Sequence, residues 1–433
     1  MDFDALIGLY CFLGMFFLIL VGVPIFISML LAAFVGFCLV DGLGFALTQF
    51  TSGPYNITSS YTFSVFPMFV LMGNLAGECG IAESAYYAVS RWLARIRGGL
   101  LIATIGAAGL FGACSGVSMA SSAIFTKISL PELAKYNYDK KVSMGCIAAS
   151  GALATLIPPS IPILIFCVLV NISIGKALIA GIIPGIMTAI ALAQAVWVIG
   201  VINPKRLPLV DIKVSWRDRF ASLKLFWPVI FLFILVIGGI YGGIFPPTVG
   251  GAIGSVGILV YALARGVSKK KVLNAFWETA VLSGQLFPML IGGFLFSRFI
   301  SLSGLADAFL ELIAGLKMPP LGVMLVLVLF YLFIGCVMEL FTILIITLPI
   351  IFPLMTGLGF DPIALCVAIV FLGQIAGLTP PIGISCFVVA SIARVDPIEV
   401  FRGILPFFLV LLIMFWIVIF FPITATWLPE LLF

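Results

Sequence analysis

The stretch 149-ASGALATLIPPSIPILIF-166 places two consecutive prolines, Pro158 and Pro159, in the middle of an apolar run. Proline has no N–H and its ring clashes with the preceding turn, so a helix breaks there. In water this is an ordinary stop. In hydrocarbon each freed backbone group needs a partner that lipid does not supply. The stretch reads as a helix interrupted at membrane depth, provided that the chain is a membrane protein.

Composition supplies that condition. Of 433 residues, 63% are hydrophobic and 9% charged, and mean hydropathy is +1.32. These values fit an all-α polytopic membrane protein, not a soluble domain. The net charge of +5 implies no nucleic acid, because the basic residues sit in loops beside apolar spans. The start, 1-MDFDALIGLYCFLG-14, lacks the basic segment of a cleaved signal peptide. The nine Cys show no CxxC spacing and read as packing residues.

There is no His, which excludes Ser-His-Asp catalysis, HExxH zinc chemistry and His-ligated haem. There is no GxxxxGK[ST] loop either, so the chain carries no ATPase motor of that kind. No catalytic residue, no cofactor and no enzymatic activity are expected. Work on a substrate must draw on a gradient or on a partner.

The break has a counterpart. At one constant offset Pro24 falls on Pro246, Pro131 on Pro353, Asp139 on Asp361, Pro158 on Pro380, Pro159 on Pro381, Gly181 on Gly403 and Pro184 on Pro406. The strings 180-AGIIPG-185 and 402-RGILPF-407 agree as well. An offset that holds through most of each half implies two structural repeats, 1–210 and 211–433.

Basic clusters occur at Arg91, Arg95 and Arg97, at Lys135, Lys140 and Lys141, from Lys205 to Lys224, and from Arg265 to Lys271. Their counterparts in the other repeat are poor in Lys and Arg. The positive-inside rule then places equivalent loops on opposite faces. The repeats are inverted, and each crosses the membrane an odd number of times.

The apolar runs fit that parity. Crossings are expected near 5–22, 25–42, 54–80, 142–172 and 177–201 in the first repeat. In the second they fall near 225–243, 246–265, 275–303, 362–393 and 401–422. Residues 82–97 form an amphipathic stretch. Segments 100–113 and 118–129 are too short to span, since roughly 20 residues are needed. They make a re-entrant hairpin, 100–129, with its tip at Cys114–Ser118; its counterpart is 321–355. The expected architecture is about ten transmembrane helices and two hairpins, with both termini periplasmic. The broken helices are 142–172 and 362–393.

Irregular backbone survives at membrane depth only where it is buried in protein or lines a wet cavity. Two tips and two breaks meeting near the midplane make a site. Carbonyls freed at Leu156-Ile157 and Leu378-Thr379 suit a cation, and half-helix N-termini suit an anion. At the first tip Ser115, Gly116 and Ser118, followed by Ser121 and Ser122, offer hard neutral oxygens of the kind sodium prefers. The same small residues also suit close helix packing. Glu339, in the second tip 335-GCVMELF-341, is the clearest carboxylate deep in an apolar segment, a functional or a structural hydrogen-bonding group. Thr379 and Ser385 flank the second break, Gln374 precedes it, and Asn74 is a polar residue within a crossing. With one such carboxylate and no His, sodium coupling is favoured over proton coupling.

Seven strings carry a resemblance to a family: 109-GLFGACSGVSMASSAIFTKISLPEL-133, 138-YDKKVSMGCIAASGALATLIPPSIPI-163, 173-SIGKALIAGIIPG-185, 241-YGGIFPPTVGGAIG-254, 333-FIGCVMELFTILIITLPIIFPL-354, 358-LGFDPIALCVAIVFLGQIAGLTPPIG-383 and 402-RGILPF-407. The chain resembles the large membrane (M) subunit of the tripartite ATP-independent periplasmic (TRAP) transporters. The resemblance implies a sodium-coupled secondary transporter of the bacterial inner membrane with an elevator mechanism. The hairpins and broken helices would form the transport domain and the remaining helices the scaffold. It also implies a small four-helix membrane subunit, a periplasmic substrate-binding protein and a small organic acid as substrate. Carried onto this chain, the sodium sites would use Ser115, Gly116, Ser118 and Leu156 in one half and Gly335, Gly377 and Thr379 in the other. The substrate would lie near Glu339, Ser385, Thr379, Pro159 and Pro381. Four positions, in three places, depart from the family's usual pattern. Pro246 and Val249 replace a Thr and a Glu, Ser121 replaces an Asp, and Glu339 stands where Asp is common. The alternatives are a stand-alone ion-coupled dicarboxylate or citrate carrier and, from other classes, a membrane-embedded enzyme or channel.

Overall fold

The computed structural model describes residues 3–210, 215–315, 318–336, 338–380 and 383–432. Every regular element in them is helical. The first half opens with α1 (Phe3–Leu20), α2 (Ile25–Val40) and α3 (Leu43–Thr58). One 3-10 turn (Tyr61–Ser64) leads into α4 (Val65–Glu78), followed by α5 (Ile81–Leu93). A helical hairpin follows, α6 (Gly99–Ser115) and α7 (Ser118–Lys135). Then come α8 (Lys140–Ser150), α9 (Leu153–Leu156), α10 (Ile161–Val170), α11 (Ile174–Ala180) and α12 (Ile182–Ile202).

The second half comprises α13 (Trp216–Tyr241), α14 (Pro247–Ala264), α15 (Lys269–Leu302) and α16 (Leu305–Gly315). A second hairpin pairs α17 (Pro320–Gly335) with α18 (Leu340–Gly357). It precedes α19 (Pro362–Ala376), α20 (Ile384–Ala393), α21 (Pro397–Phe420) and α22 (Ile423–Leu432).

Local chemistry sets several boundaries. Asp139 caps α8 through the Val142 N–H at 3.0 Å. Asp361, its counterpart in the second half, caps α19 through Ile363 and Ala364 at 2.9 and 2.8 Å. A carboxylate there satisfies orphan donors and faces the positive end of the helix.

Six helices are long and apolar enough to cross a membrane: α1, the α11–α12 stretch, α14, α15, α18 and α21. Two pairs bent at short breaks, by 63° between α4 and α5 and by 43° between α8–α9 and α10, raise the number to eight. The ten crossings expected from sequence also count α2, which has only 16 residues, α13 and the α19–α20 pair. By length α18 joins the spans, although sequence assigns it to a hairpin. On α21 the exposed Leu405, Leu409 and Ile413 form one stripe, while Ile404, Phe407 and Leu411 are buried. A helix apolar on both faces is stable only where the solvent is itself apolar.

One expected crossing, 54–80, is not a single helix. The polar run 58-TSSYTFS-64 interrupts it, because Ser and Thr hydroxyls compete for backbone groups and favour helix ends. Its counterpart in the second repeat lies inside α15, which runs uninterrupted for 34 residues. Helices α16 and α22 lie outside the spans read from sequence, and α3 overlaps one of them only at residues 54–58.

Two helices that sequence assigns to the scaffold are clasped to the broken helices. A Cβ on Gly145 of α8 would collide with the backbone of Gly403 in α21, and one on Gly403 would meet the Lys141 carbonyl. Likewise Gly181, at the start of α12, abuts the Leu156 carbonyl. Backbone contact this close leaves no room for α12 or α21 to slide along the first broken helix.

Candidate functional site

The first hairpin turns on two residues. Gly116 takes a left-handed conformation (φ 62°) and its N–H bonds the Gly112 carbonyl at 2.9 Å, while Val117 is extended. A Cβ at position 116 would lie 2.6 Å from the Pro159 carbonyl oxygen. Glycine is thus required twice, by its dihedral and by the approach of tip to break. The tip rests directly on the first interrupted helix.

That interruption has its own repair. Pro159 cannot donate to the Thr155 carbonyl, and the Ser160 hydroxyl donates to it instead. The same hydroxyl caps α10 by accepting from Ile163 N–H at 3.4 Å. Sequence reading did not name Ser160; the available signal was a Ser immediately before an apolar helical run.

The second hairpin and break meet in the same way. A Cβ on Gly335 would lie 2.9 Å from the Ala376 Cα. The Cys336 thiol reaches the Pro380 carbonyl at 2.7 Å and lies 3.4 Å from the Thr379 hydroxyl. Thr379 donates back to the Ala376 carbonyl at 2.6 Å. Cys336 is a further contact that sequence reading missed, and a lone Cys in an apolar run gave no signal for it.

All four elements converge on one cavity of about 30 Å³, lined by Gly116 and Ser118, Thr155, Glu339, Gln374 and Gly377, and Ser385. That volume holds about two water molecules. The Gln374 side-chain amide donates to the Ser118 hydroxyl at 2.8 Å and ties the second broken helix to the first tip. Glu339 occupies the N-cap position of α18 and makes no capping hydrogen bond.

The structure thus brings together Gly116, Ser118, Gly377, Glu339 and Ser385 around one space. Other expected site residues lie beside it. Gly335 and Thr379 are engaged in the tip-to-break contact just described, and the Pro159 carbonyl faces Gly116. The Leu156 carbonyl points to Gly181 of α12, away from the cavity lining. Ser115 lies on the other side of the tip. There it lines a separate cavity of about 440 Å³ with Asn74, Lys127 and three glutamates, Glu78, Glu83 and Glu278. Asn74 itself donates to Thr279 at 3.0 Å, an interhelical hydrogen bond between α4 and α15. Pro381 lies outside the described residues.

Among the described residues the hydroxyls of Ser115, Ser121 and Ser122 are buried without a hydrogen-bond partner. Burying a neutral polar group unpaired costs about 1–3 kcal/mol. Neutral oxygens held dry suit a hard monovalent cation. No cluster of three or more His, Cys, Asp or Glu suited to a metal occurs among the described residues. The donor set therefore fits sodium and does not fit a transition metal.

Comparison with known proteins bears on the family and the fold. The family profile for "Tripartite ATP-independent periplasmic transporter, DctM component" matches residues 12–424. The C4-dicarboxylate TRAP transporter large permease protein DctM of Pseudomonas aeruginosa is 30% identical over 405 residues, covering 90% of this chain and 93% of that protein. The ectoine/5-hydroxyectoine large permease protein UehC of Ruegeria pomeroyi is also 30% identical, covering 98% of each chain. The sialic acid large permease protein SiaM of Vibrio cholerae is again 30% identical, with 98% of both covered. Among solved structures the YdaH transporter of Alcanivorax borkumensis superimposes with a TM-score of 0.60 at 14% identity, covering 94% of this chain and 97% of that one. At that identity the likeness concerns the fold alone.

Proposed function

The chain belongs to the DctM-component family of TRAP transporters, and on that premise we propose that it couples a sodium gradient to uptake of a small organic acid. As a large permease it is a transporter subunit of the multi-pass inner-membrane class and not an enzyme. The observation that carries the coupling reading is the convergence of both tips and both breaks on one cavity whose lining includes Ser118, Thr155, Gln374 and Ser385, side chains with neutral oxygens. Sodium bound there would take neutral oxygens from both repeats and so bridge elements of both halves.

The relatives named above serve C4-dicarboxylate, ectoine or sialic acid, each at 30% identity. All three substrates bear a carboxylate, and overall identity does not choose among them. A carboxylate-bearing small molecule is therefore the substrate class proposed for this chain. Its partners would be a small membrane subunit and a periplasmic substrate-binding protein, with both termini on the periplasmic face.

The proposed movement is that of an elevator built on inverted repeats, with re-entrant hairpins. The mobile body would hold the hairpins, the broken helices and, because of the glycine contacts, α12 and α21 as well. The remaining helices would form the scaffold.

The test is reconstitution of the permease with its small subunit and binding protein in vesicles. Uptake of labelled succinate, ectoine or N-acetylneuraminate should require inward-directed sodium and the loaded binding protein. Equal uptake without sodium would overturn the coupling. Equal uptake without binding protein would favour the stand-alone carrier.

A further inference from the structure

A second cavity, of about 520 Å³, lies between the first interrupted helix and the break that separates α3 from α4. We propose that it is an entry vestibule in which Arg298 holds the carboxylate of the incoming substrate before the central cavity receives it. The proposal rests on the organic-acid reading above.

Position comes first. Helix α15 starts at the basic run Lys269–Lys271, and Arg298 stands near its other end. At a rise of about 1.5 Å per residue, Lys271 and Arg298 are separated by about 40 Å, more than the roughly 30 Å of a hydrocarbon core. Arg298 therefore lies at the face opposite the basic loops, where a substrate delivered from outside arrives. The cavity also contains Val168 and Asn171, at the far end of α10, while Ser160 at its near end belongs to the first break. A ten-residue helix is about 15 Å long, so the vestibule and the central site lie at the two ends of one half-helix.

Chemistry comes second. Among the described residues Arg298 is the only charged side chain lining the cavity, and the ion pairs found among them do not include it. Around it stand Asn56, Asn171, Ser60 and Thr62, neutral hydrogen-bonding groups, with Phe63 on the apolar wall. A planar guanidinium with a free fork binds a carboxylate through two parallel hydrogen bonds. The volume falls within the range of small-molecule sites, whereas the central cavity of about 30 Å³ admits no organic acid in this conformation.

Asymmetry comes third. The vestibule contains Ser60, Thr62 and Phe63 from the interruption between α3 and α4. The matching segment of the second repeat is continuous helix, and the residue matching Arg298 in the first is Ala76. The second half thus lacks the interruption and the first half lacks the charge. On the other face the matching residues Gly73, Glu278 and Leu282 line the cavity of about 440 Å³, where three glutamates and Lys127 stand in place of a lone arginine, so the two openings differ in charge.

An arginine near a membrane face also suits a lipid phosphate, so the test separates the two oxyanions. Full-length protein with its small subunit is placed in nanodiscs of phosphatidylcholine alone and treated with phenylglyoxal. Modification of Arg298 is read by peptide mass spectrometry. At least one of succinate, ectoine and N-acetylneuraminate should slow modification several-fold, and protection should persist in Gln374→Ala. If none protects, or if only added phosphatidylglycerol does, the vestibule is not a substrate site. In transport, Arg298→Gln should raise the apparent KM for loaded binding protein roughly ten-fold, the size of one charge-assisted hydrogen bond. The sodium response should be unchanged, and Arg298→Lys should recover part of the loss. A wild-type KM in Arg298→Gln overturns the proposal. If the wild type carries none of the three compounds, the organic-acid reading fails, while protection at Arg298 still reports on the vestibule.

Discussion

Gln374 of α19 donates a 2.8 Å hydrogen bond to the Ser118 hydroxyl of α7, across 256 positions of sequence and from one half of the chain to the other. Both side chains are buried and both line the central cavity. The bond fixes the distance between a broken helix and the opposing hairpin tip, so anything that binds at the tip is felt at the other break. Gln374→Leu removes the donor with little change in volume and should lower sodium-driven uptake roughly ten-fold. Ser118→Ala should do the same. The double variant should be scarcely worse than either single one, because both remove the same interaction. The measurement is a double-mutant cycle on initial uptake rates, and additive losses would show that the two residues act separately.

Gly116→Ala tests the tip itself. The new methyl must fit 2.6 Å from the Pro159 carbonyl at φ 62°. The left-handed conformation alone costs about 1–2 kcal/mol for a residue with a Cβ. The contact adds to it, since the Pro159 oxygen is backbone and cannot rotate away. A lower Tm and impaired uptake are expected. A variant of unchanged Tm would mean that the tip does not sit on the break.

The buried serines make a sharper prediction. Ser121 and Ser122 have hydroxyls without partners, so each costs stability in the absence of a ligand. Ser121→Ala and Ser122→Ala should therefore leave Tm in sodium-free buffer equal to or above that of the wild type. The rise in Tm on adding sodium should shrink, because a ligand stabilises in proportion to its binding. The check is a thermal melt across sodium concentrations with choline as the control. A sodium-induced rise of wild-type size in both variants removes these hydroxyls from the ion site.

Much of this arrangement is legible in sequence, and the reasons are local. Pro158-Pro159 and Pro380-Pro381 announce breaks because proline removes a donor wherever it stands. Gly116 and its neighbours announce a turn because few other residues turn in that way. Asp139 and Asp361 mark helix starts by side-chain chemistry that needs no partner element. Other features depend on what lies across the fold. Nothing near Leu156 indicates that its carbonyl meets Gly181, and nothing near Ser115 indicates that it faces a different cavity from Ser118, a short step along the chain. Those two residues point to opposite sides of the tip because Gly116 and Val117 reverse the chain between them. The interruption at Thr58–Ser64 was open to reading from its hydroxyl-rich run, but its apolar surroundings read as one long crossing.

Glu339 supplies the last test. It lines the central cavity from the N-terminus of α18, where the helix dipole favours a negative charge, and it spends no hydrogen bond on capping. A carboxylate aimed into a space shared by both breaks, and held by no cap, is available to ligands. Glu339→Gln keeps the shape and removes the charge. Uptake should fall by about ten-fold or more, the size expected for loss of a charged hydrogen-bonding group. Glu339→Asp keeps the charge but shortens the reach by one methylene, and its loss should be smaller. Assembly with the small subunit and Tm without ligand should be unaffected in both. Initial rates with each labelled acid, beside size-exclusion profiles of the complex, decide the matter. Uptake of wild-type kinetics in Glu339→Gln would make the carboxylate a structural group, and equal losses in both variants would make geometry, not charge, the property that the site requires.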